Sequence, residues 1–312
     1  MKIAMYKDTV ANRRGADAAV MALAAGLEER GHCAVMVERR DLNVRLAEEW
    51  DVVVSAGTVE LLDLAAVFPK KFPWPVVQQF HTNPKSQFKR KRLIRNWKIR
   101  RALHRVAAIQ VLSEAFAGQV EGYACRIAVI GNWSEMACKG CVGGNTPERK
   151  NAIVYPAVFS KGKNHDLLFR AFDLLRPEFP DWTVELYGKE PPPFDLPEGT
   201  AFMGYRDLAD VYRKCAFVAF PSTDEGFPLT LVDAAAFGKP AVMVRDWIGT
   251  AAAGGGIVAR AKAADYANGL RRFMSDVPLA AEMGERARSF CEVAYSRAGI
   301  LDRWENLLRS VT

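Results

Sequence analysis

Residues 220–242 read FPSTDEGFPLTLVDAAAFGKPAV. The stretch predicts a strand, a loop, a helix and a second strand. Val218, Ala219 and Phe220 form a short apolar run closed by Pro221, as at the end of a buried strand. Residues 222–226, Ser-Thr-Asp-Glu-Gly, are turn formers. Leu229, Val232, Asp233 and Ala236 then recur at helical spacing. Gly238, Lys239 and Pro240 stop the helix, and residues 241–244 resume an apolar strand. A buried parallel strand that feeds a helix through a Gly-containing loop is where open α/β sheets bind ligands. Loop amides and the helix N-terminus there present a positive field to an anion. Two carboxylates mark the unit: Glu225 in the loop and Asp233 two turns into the helix.

The chain around it is long enough for two α/β domains, with 312 residues of which half are hydrophobic. No apolar run is long enough to span a bilayer, and Lys2, Lys7 and Asp8 interrupt the N-terminus as a signal peptide. The six cysteines (33, 125, 138, 141, 215 and 291) are scattered. Together these features predict reduced thiols in a cytoplasmic protein. Cys138 and Cys141 form a lone CxxC with no further ligand nearby, and read as a loop pair of free thiols.

Net charge is +7, unevenly placed: residues 85–105 carry ten Lys or Arg and no acid. Leu93, Ile94, Trp97 and Leu103 lie near one helical face, with cations around the rest, which predicts a basic amphipathic helix. Two readings are open. The helix packs its apolar side on the domain and is otherwise solvated. Alternatively Lys89, Arg90, Arg92, Arg95 and Trp97 meet a phosphorylated acceptor or an anionic membrane surface, to which each cation near the lipid contributes about 1 kcal/mol. Nucleic acid would demand similar charge, but no reading module accompanies it, so none is expected as a partner.

In chain order, a strand at 2–6, a polar loop, a helix at 16–30 opened by Gly15, and a strand at 33–37 make β-loop-α-β. The loop lacks G-x-G-x-x-G, so no dinucleotide fingerprint is present. Further strands are expected at 51–55, 75–80 and 106–112, the second delivering His81 at its carboxyl end. Residues 143–150 are polar with Gly and Pro, a linker composition. Beyond it come strands near 152–155 and 182–187 and three closing helices near 262–275, 278–291 and 297–310. The domains are therefore expected at 1–145 and 151–292, with 293–312 a terminal helix.

The central stretch resembles the E-x7-E signature of GT-B-fold glycosyltransferases, in particular the family 4 (group 1) retaining enzymes. Their pattern, roughly E-G-F-G-L-P-x-x-E-A-x-A-x-G-x-P-V, stands here as E-G-F-P-L-T-L-V-D-A-A-A-F-G-K-P-A, with Asp233 in place of the second Glu. His81-Thr-Asn-Pro84 resembles the family's H-x-x-P loop, and Val129-Ile-Gly-Asn132 its V-I-P-N step. Residues 157–168 resemble the G-R-x(4-5)-K-G-x-D-x-L segment. The Lys is Lys163, with Lys161 as the alternative, while the Arg is replaced by Ala157 or Val158. Arg14-Gly-Ala-Asp17 stands where Gly-Gly-Ala-Glu is common, a plain helix start being the other reading of Gly15. The turn at Phe202-Met-Gly204-Tyr205 resembles the family's F-x-G step, and 254–258 its N-G-x-L-V turn.

The resemblance implies two Rossmann-like domains facing across a cleft, with the last helix crossing back to the first. It implies a nucleotide-diphosphate sugar as donor, held mainly on the second domain, and a glycan or glycolipid acceptor of cell-envelope, polysaccharide or lipopolysaccharide synthesis on the first. Asp233 would accept from the ribose hydroxyls. Glu225 and the amides of Gly226, Phe227, Pro228 and Leu229 would hold sugar and diphosphate, and Lys163 would neutralise the departing diphosphate. His81 would lie beside the transferred sugar, while Gly15, Lys161, Gly204 and Tyr205 would complete the donor site. Retention of configuration is implied. No metal and no cofactor are expected, because no D-x-D-like pair follows a strand. The missing Arg keeps an alternative open, a catalytically silent nucleotide-sugar-binding or membrane-docking partner subunit.

Overall fold

The structure, a computed structural model, describes residues 1–9, 16–45, 48–88, 92–123, 126–134 and 151–312. Gly15, Lys89, Arg90, Cys125, Cys138, Cys141 and the expected linker 143–150 lie outside the described residues. The chain divides into two compact units. One comprises Met1–Asn132 together with Ala298–Thr312, the other Trp133–Arg297. The first stretch thus ends at 132, short of the boundary expected at 145.

In the first unit six parallel strands take the order β2-β1-β3-β4-β5-β6: β1 Lys2–Lys7, β2 Cys33–Glu38, β3 Val52–Ser55, β4 Val76–Gln79, β5 Ala108–Val111 and β6 Arg126–Val129. Strands β3, β4 and β5 are buried throughout, as expected for a parallel sheet covered on both faces. That is why they show no polar alternation, although each carries a buried polar side chain: Ser55, Gln78 and Gln79, and Gln110. Its helices are α1 Ala16–Glu29, α2 Leu42–Arg45, α3 Thr58–Val67, α4 Pro84–Gln87, α5 Leu93–Leu103 and α6 Glu114–Ala117.

The second unit repeats the plan with β12-β11-β10-β7-β8-β9: β7 Ala152–Pro156, β8 Thr183–Tyr187, β9 Thr200–Phe202, β10 Phe217–Phe220, β11 Ala241–Met243 and β12 Gly256–Val258. Helices α7 His165–Asp173, α8 Leu208–Lys214, α9 Leu229–Ala236, α10 Ala263–Ser275 and α11 Val277–Ala294 cover it, and α12 Arg297–Arg309 carries the chain back to the first unit. Helix α9 ends at Gly238, whose φ of +62° is the left-handed C-terminal geometry that glycine supplies. A Cβ on Gly284 of α11 would stand 1.9 Å from the Gly238 carbonyl, so the two glycines let α11 close against the end of α9.

The core of the second unit is aromatic-rich, with Tyr155, Phe172, Phe217, Phe220, Tyr266 and Phe273 buried. Its buried hydroxyl at Tyr266 is satisfied: it accepts from the Phe220 amide at 2.9 Å and donates to the Val242 carbonyl at 2.7 Å. This pins the carboxyl end of β10, where the central loop departs. No helix among the described residues is long and apolar enough to cross a membrane.

Candidate functional site

Strand β7 is first in its sheet, and the order runs outward from it in opposite directions, through β8 to β9 and through β10 to β12. The gap between the carboxyl ends of β7 and β10 is therefore the topological switch point, the place where such sheets open a ligand crevice. The loops that leave these two ends are tied together. The Gly162 carbonyl accepts from the Thr223 amide at 2.8 Å and from the Ser222 hydroxyl at 3.1 Å, and the Asn164 side-chain amide donates to the Pro221 carbonyl at 3.3 Å. Asn164 sits in the left-handed region (φ +54°), which Asn tolerates, and it turns the Lys161–Lys163 segment into α7.

Across this junction the Lys163 ammonium meets the Glu225 carboxylate at 2.6 Å, and Ser222 donates to the same oxygen at 2.5 Å. The Glu225 side chain is 10% exposed and that of Lys163 is 25%. Tyr155 donates to the Lys163 carbonyl at 2.7 Å, fixing the backbone beneath the ammonium. Burial first, then the nearby Glu225 charge, holds the Tyr155 phenol well above its ordinary range. His165 lies beneath this turn, stacked on Phe159 at 4.5 Å, and burial followed by Lys163 pushes its imidazole down to about 4. Of the two candidate lysines, Lys163 is the one brought to Glu225, and Lys161 is exposed.

Asp233, on α9, accepts from the Ser134 hydroxyl. Its burial pushes the carboxyl up to about 6, an effect the Ser134 hydrogen bond partly opposes. Ser134 was not among the residues singled out from the sequence. It stands 99 positions from its partner, in the segment just past the Val129-Ile-Gly-Asn132 step, and only that proximity to a recognised step could have drawn attention to it.

The backbone of the loop corrects one expectation. Pro228 has no N–H, and the Leu229 amide is taken by the Phe227 carbonyl at 3.1 Å. The amides of Gly226 and Phe227 therefore remain as donors in that stretch, not the run from 226 to 229. The Phe227 ring packs edge-on against Tyr295 at 5.2 Å. Gly204 adopts φ +73° and its carbonyl accepts from the Gly188 amide at 3.2 Å, while Tyr205 is exposed.

The first unit has its own switch point, between β1 and β3. There Lys7 meets Glu60 at 2.8 Å, and the Asp8 amide donates to the same oxygen at 3.0 Å. Neither residue was anticipated. His81 follows β4, the next strand along. Both its ring nitrogens are buried and have no hydrogen-bond partner among the described residues. Burial and then Lys7 push the imidazole down to about 4, with Glu60 opposing, so it is neutral at neutral pH.

The basic helix departs from expectation. Ile99, Ala102 and Leu103 are the buried side chains of α5, whereas Leu93, Ile94 and Trp97 are exposed. Arg95 is half-buried and donates to the Gln87 carbonyl and the Thr58 hydroxyl, both at 3.1 Å, so it anchors α5 to its neighbours. Arg92 is exposed. Among the described residues, no group of three or more His, Cys, Asp or Glu is placed to hold a metal ion.

Residues 143–290 match the family described as "Glycosyl transferases group 1". Over this segment, somewhat under half of the chain, the sequence is similar to that family. A relative in Haemophilus influenzae (strain Rd), an "uncharacterized glycosyltransferase", is 23% identical over 176 residues, 52% of this chain and 49% of the relative. The match thus spans about half the length of that relative. Among solved structures, a sucrose-phosphate synthase from Thermosynechococcus elongatus superposes with a TM-score of 0.79 at 15% identity, covering 99% of this chain and 98% of its own. HepE from Anabaena, in complex with UDP and glucose, gives 0.78 at 17%, covering 99% and 100%. TarM of S. aureus gives 0.66 at 17%, covering 82% and 55%. At these identities the likeness is one of fold, the GT-B architecture.

Proposed function

We propose that the chain transfers a glycosyl group from a nucleoside-diphosphate sugar to a glycan or glycolipid acceptor in cell-envelope or polysaccharide synthesis. The observation that carries this is the Lys163–Glu225 pair at the switch point of the segment that matches the group 1 glycosyl transferases. The diphosphate would lie against the Gly226 and Phe227 amides and take the Lys163 ammonium from Glu225. The freed carboxylate would accept from the sugar hydroxyls, and Asp233, fixed by Ser134, from the ribose. Lys161, Gly204 and Tyr205 would border the donor. As the C1–O bond to the phosphate breaks, Lys163 stabilises the charge that develops on the leaving oxygen. The acceptor oxygen bonds to C1 on the same face, and its proton passes to the leaving phosphate, so configuration is retained. Fixed cationic and amide groups perform the neutralisation a metal would otherwise supply. His81 offers the acceptor side of the first unit a neutral imidazole.

HepE was solved with UDP and with UDP-glucose, which makes UDP the first nucleotide to try. The test is a thermal-shift panel with UDP, GDP, ADP, dTDP and CMP, followed by assay of the matching sugar nucleotide. A ligand at about 100 times its Kd stabilises by about 2.7 kcal/mol. One nucleotide should raise the Tm, and Asp233→Ala should abolish the shift. No shift with any of them would overturn the reading.

A second reading rests on the Ala157-Val158 pair, where the resemblance calls for an Arg; Val158 is exposed and uncharged. In it the chain binds the nucleotide sugar as a silent partner subunit. Nucleotide binding without transfer or hydrolysis would decide for it.

A further inference from the structure

Between Asp63 and Glu114 the chain carries twelve Lys and Arg and no Asp or Glu. On the second unit's helices, several basic side chains have acidic partners a turn away: Arg170 with Asp166, Arg213 with Asp210, Arg286 with Glu282 and Arg288 with Glu285. Around α5 the exposed Lys70, Lys71, Lys98, Arg100 and Arg101 are in no ion pair among the described residues. Among the described residues these cations have no acidic partner, and the same face carries large apolar groups. Leu93 is 76% exposed, Ile94 75% and Trp97 57%. At 100° per residue these three fall within an arc of about 100°, with Arg101 inside it, and the buried Ile99, Ala102 and Leu103 lie opposite. The arc continues into a groove against α3, walled by Leu62, Ala65 and Pro69 on one side and by Trp97 and Lys98 on the other. The Arg101 guanidinium stands over the Trp97 ring at 5.5 Å.

We infer that this face of the first unit docks on an anionic lipid bilayer. Leu93, Ile94 and Trp97 would enter the boundary between headgroups and acyl chains, and Lys70, Lys71, Lys98, Arg100 and Arg101 would meet lipid phosphates. Each element suits that occupant. Aliphatic groups gain by leaving water, an indole sits at the headgroup level, and lysine and arginine stems lie along the apolar surface while their charges reach out. A nucleic acid would use the cations and leave Leu93 and Ile94 in water. A protein partner would bury them among charges that protein interfaces deplete at their centre. Arg95, bonded to Thr58 and Gln87, holds the face in place, so no unfolding precedes docking. The inference depends on neither the nucleotide nor the transfer reaction.

The test is flotation of the full chain with vesicles of phosphatidylcholine alone and of phosphatidylcholine with roughly one-third phosphatidylglycerol. Binding is expected to the anionic vesicles only and to weaken as salt rises. The variant Leu93→Ser/Ile94→Ser/Trp97→Ser should keep its Tm, because these side chains are exposed, and lose at least about tenfold in vesicle affinity. The variant Lys98→Gln/Arg101→Gln should lose several-fold and show a shallower salt dependence. Three results would overturn the inference: no binding to anionic vesicles at low salt, equal binding to both vesicle types, or binding indifferent to the apolar triple change. Tight binding of a short DNA duplex, equally indifferent to that change, would assign the face to nucleic acid instead.

Discussion

The two units place the same pair of residue types at the same point of the same topology, yet the two pairs differ in their surroundings. In the first unit Lys7 extends from the end of β1 and Glu60 from the first turn of α3. That carboxylate is 3% exposed, also accepts from the Asp8 amide, and leaves no room at Gly57, where a Cβ would come within 2.5 Å of it. In the second unit Glu225 sits on a loop and Lys163 closes the short turn Lys161–Lys163, the two segments joined through the Gly162 carbonyl, and both side chains are more open, 25% exposed for Lys163 and 10% for Glu225 against 17% for Lys7 and 3% for Glu60. A sealed pair is committed to the fold, because removing one charge strands the other in a medium that cannot solvate it. A pair at an open loop junction can exchange one partner for a ligand.

The largest effect that contrast predicts lies in the sealed pair. Lys7→Met leaves the Glu60 carboxylate buried with one amide donor, and denaturant unfolding should show a loss of about 3–5 kcal/mol. A loss below 1 kcal/mol would make the two pairs equivalent. Next is Glu225→Ala, which should keep the wild-type Tm to within a few degrees and lower turnover of the sugar nucleotide by about 10²–10³; wild-type turnover would remove Glu225 from the proposed chemistry. Asp233→Asn follows. The folded chain holds the Asp233 proton more tightly than the unfolded chain does, with a carboxyl raised to about 6 from 3.8. The group therefore favours the fold below the lower value, and that advantage is gone once pH rises through the higher one. At pH 8 Asp233→Asn should be more stable than wild type by about 2 kcal/mol while losing the nucleotide-induced shift. Wild-type affinity for nucleotide should itself fall as pH drops through about 6. Smallest is Ser134→Ala, expected to lower stability by about 1 kcal/mol and, by raising the Asp233 carboxyl further, to weaken nucleotide binding several-fold near pH 6.5. Unchanged binding there would detach Ser134 from the site.

Much of the fold was legible because parallel strands buried on both faces announce themselves as short apolar runs. The β10-loop-α9-β11 unit followed directly from residues 220–242, down to the stop at Gly238. What was not legible is pairing across distance. Nothing near Asp233 in sequence points to Ser134, and nothing near Lys7 points to Glu60. Helical periodicity gathered Leu93, Ile94, Trp97 and Leu103 but did not say which of them meets the domain, because that depends on where α3 lies. The turn at Phe227 hides from a motif altogether: the pattern counts residues, and it is the backbone conformation that spends the Leu229 amide on a carbonyl two positions back. The roles given to Glu225, Lys163, Asp233 and His81 rest on the resemblance together with this geometry.

Helix α12 bears on how the chain is made. Ile300, Leu301, Trp304 and Leu308 are buried, and Arg30 and His32, at the far end of α1, bond Asp302 and Glu305. The first unit is therefore discontinuous, with 133–297 inserted between its two pieces, while the second is one unbroken stretch. During synthesis the first unit therefore waits for Ala298–Thr312 to complete its core, by which time the whole of Trp133–Arg297 has been available to fold.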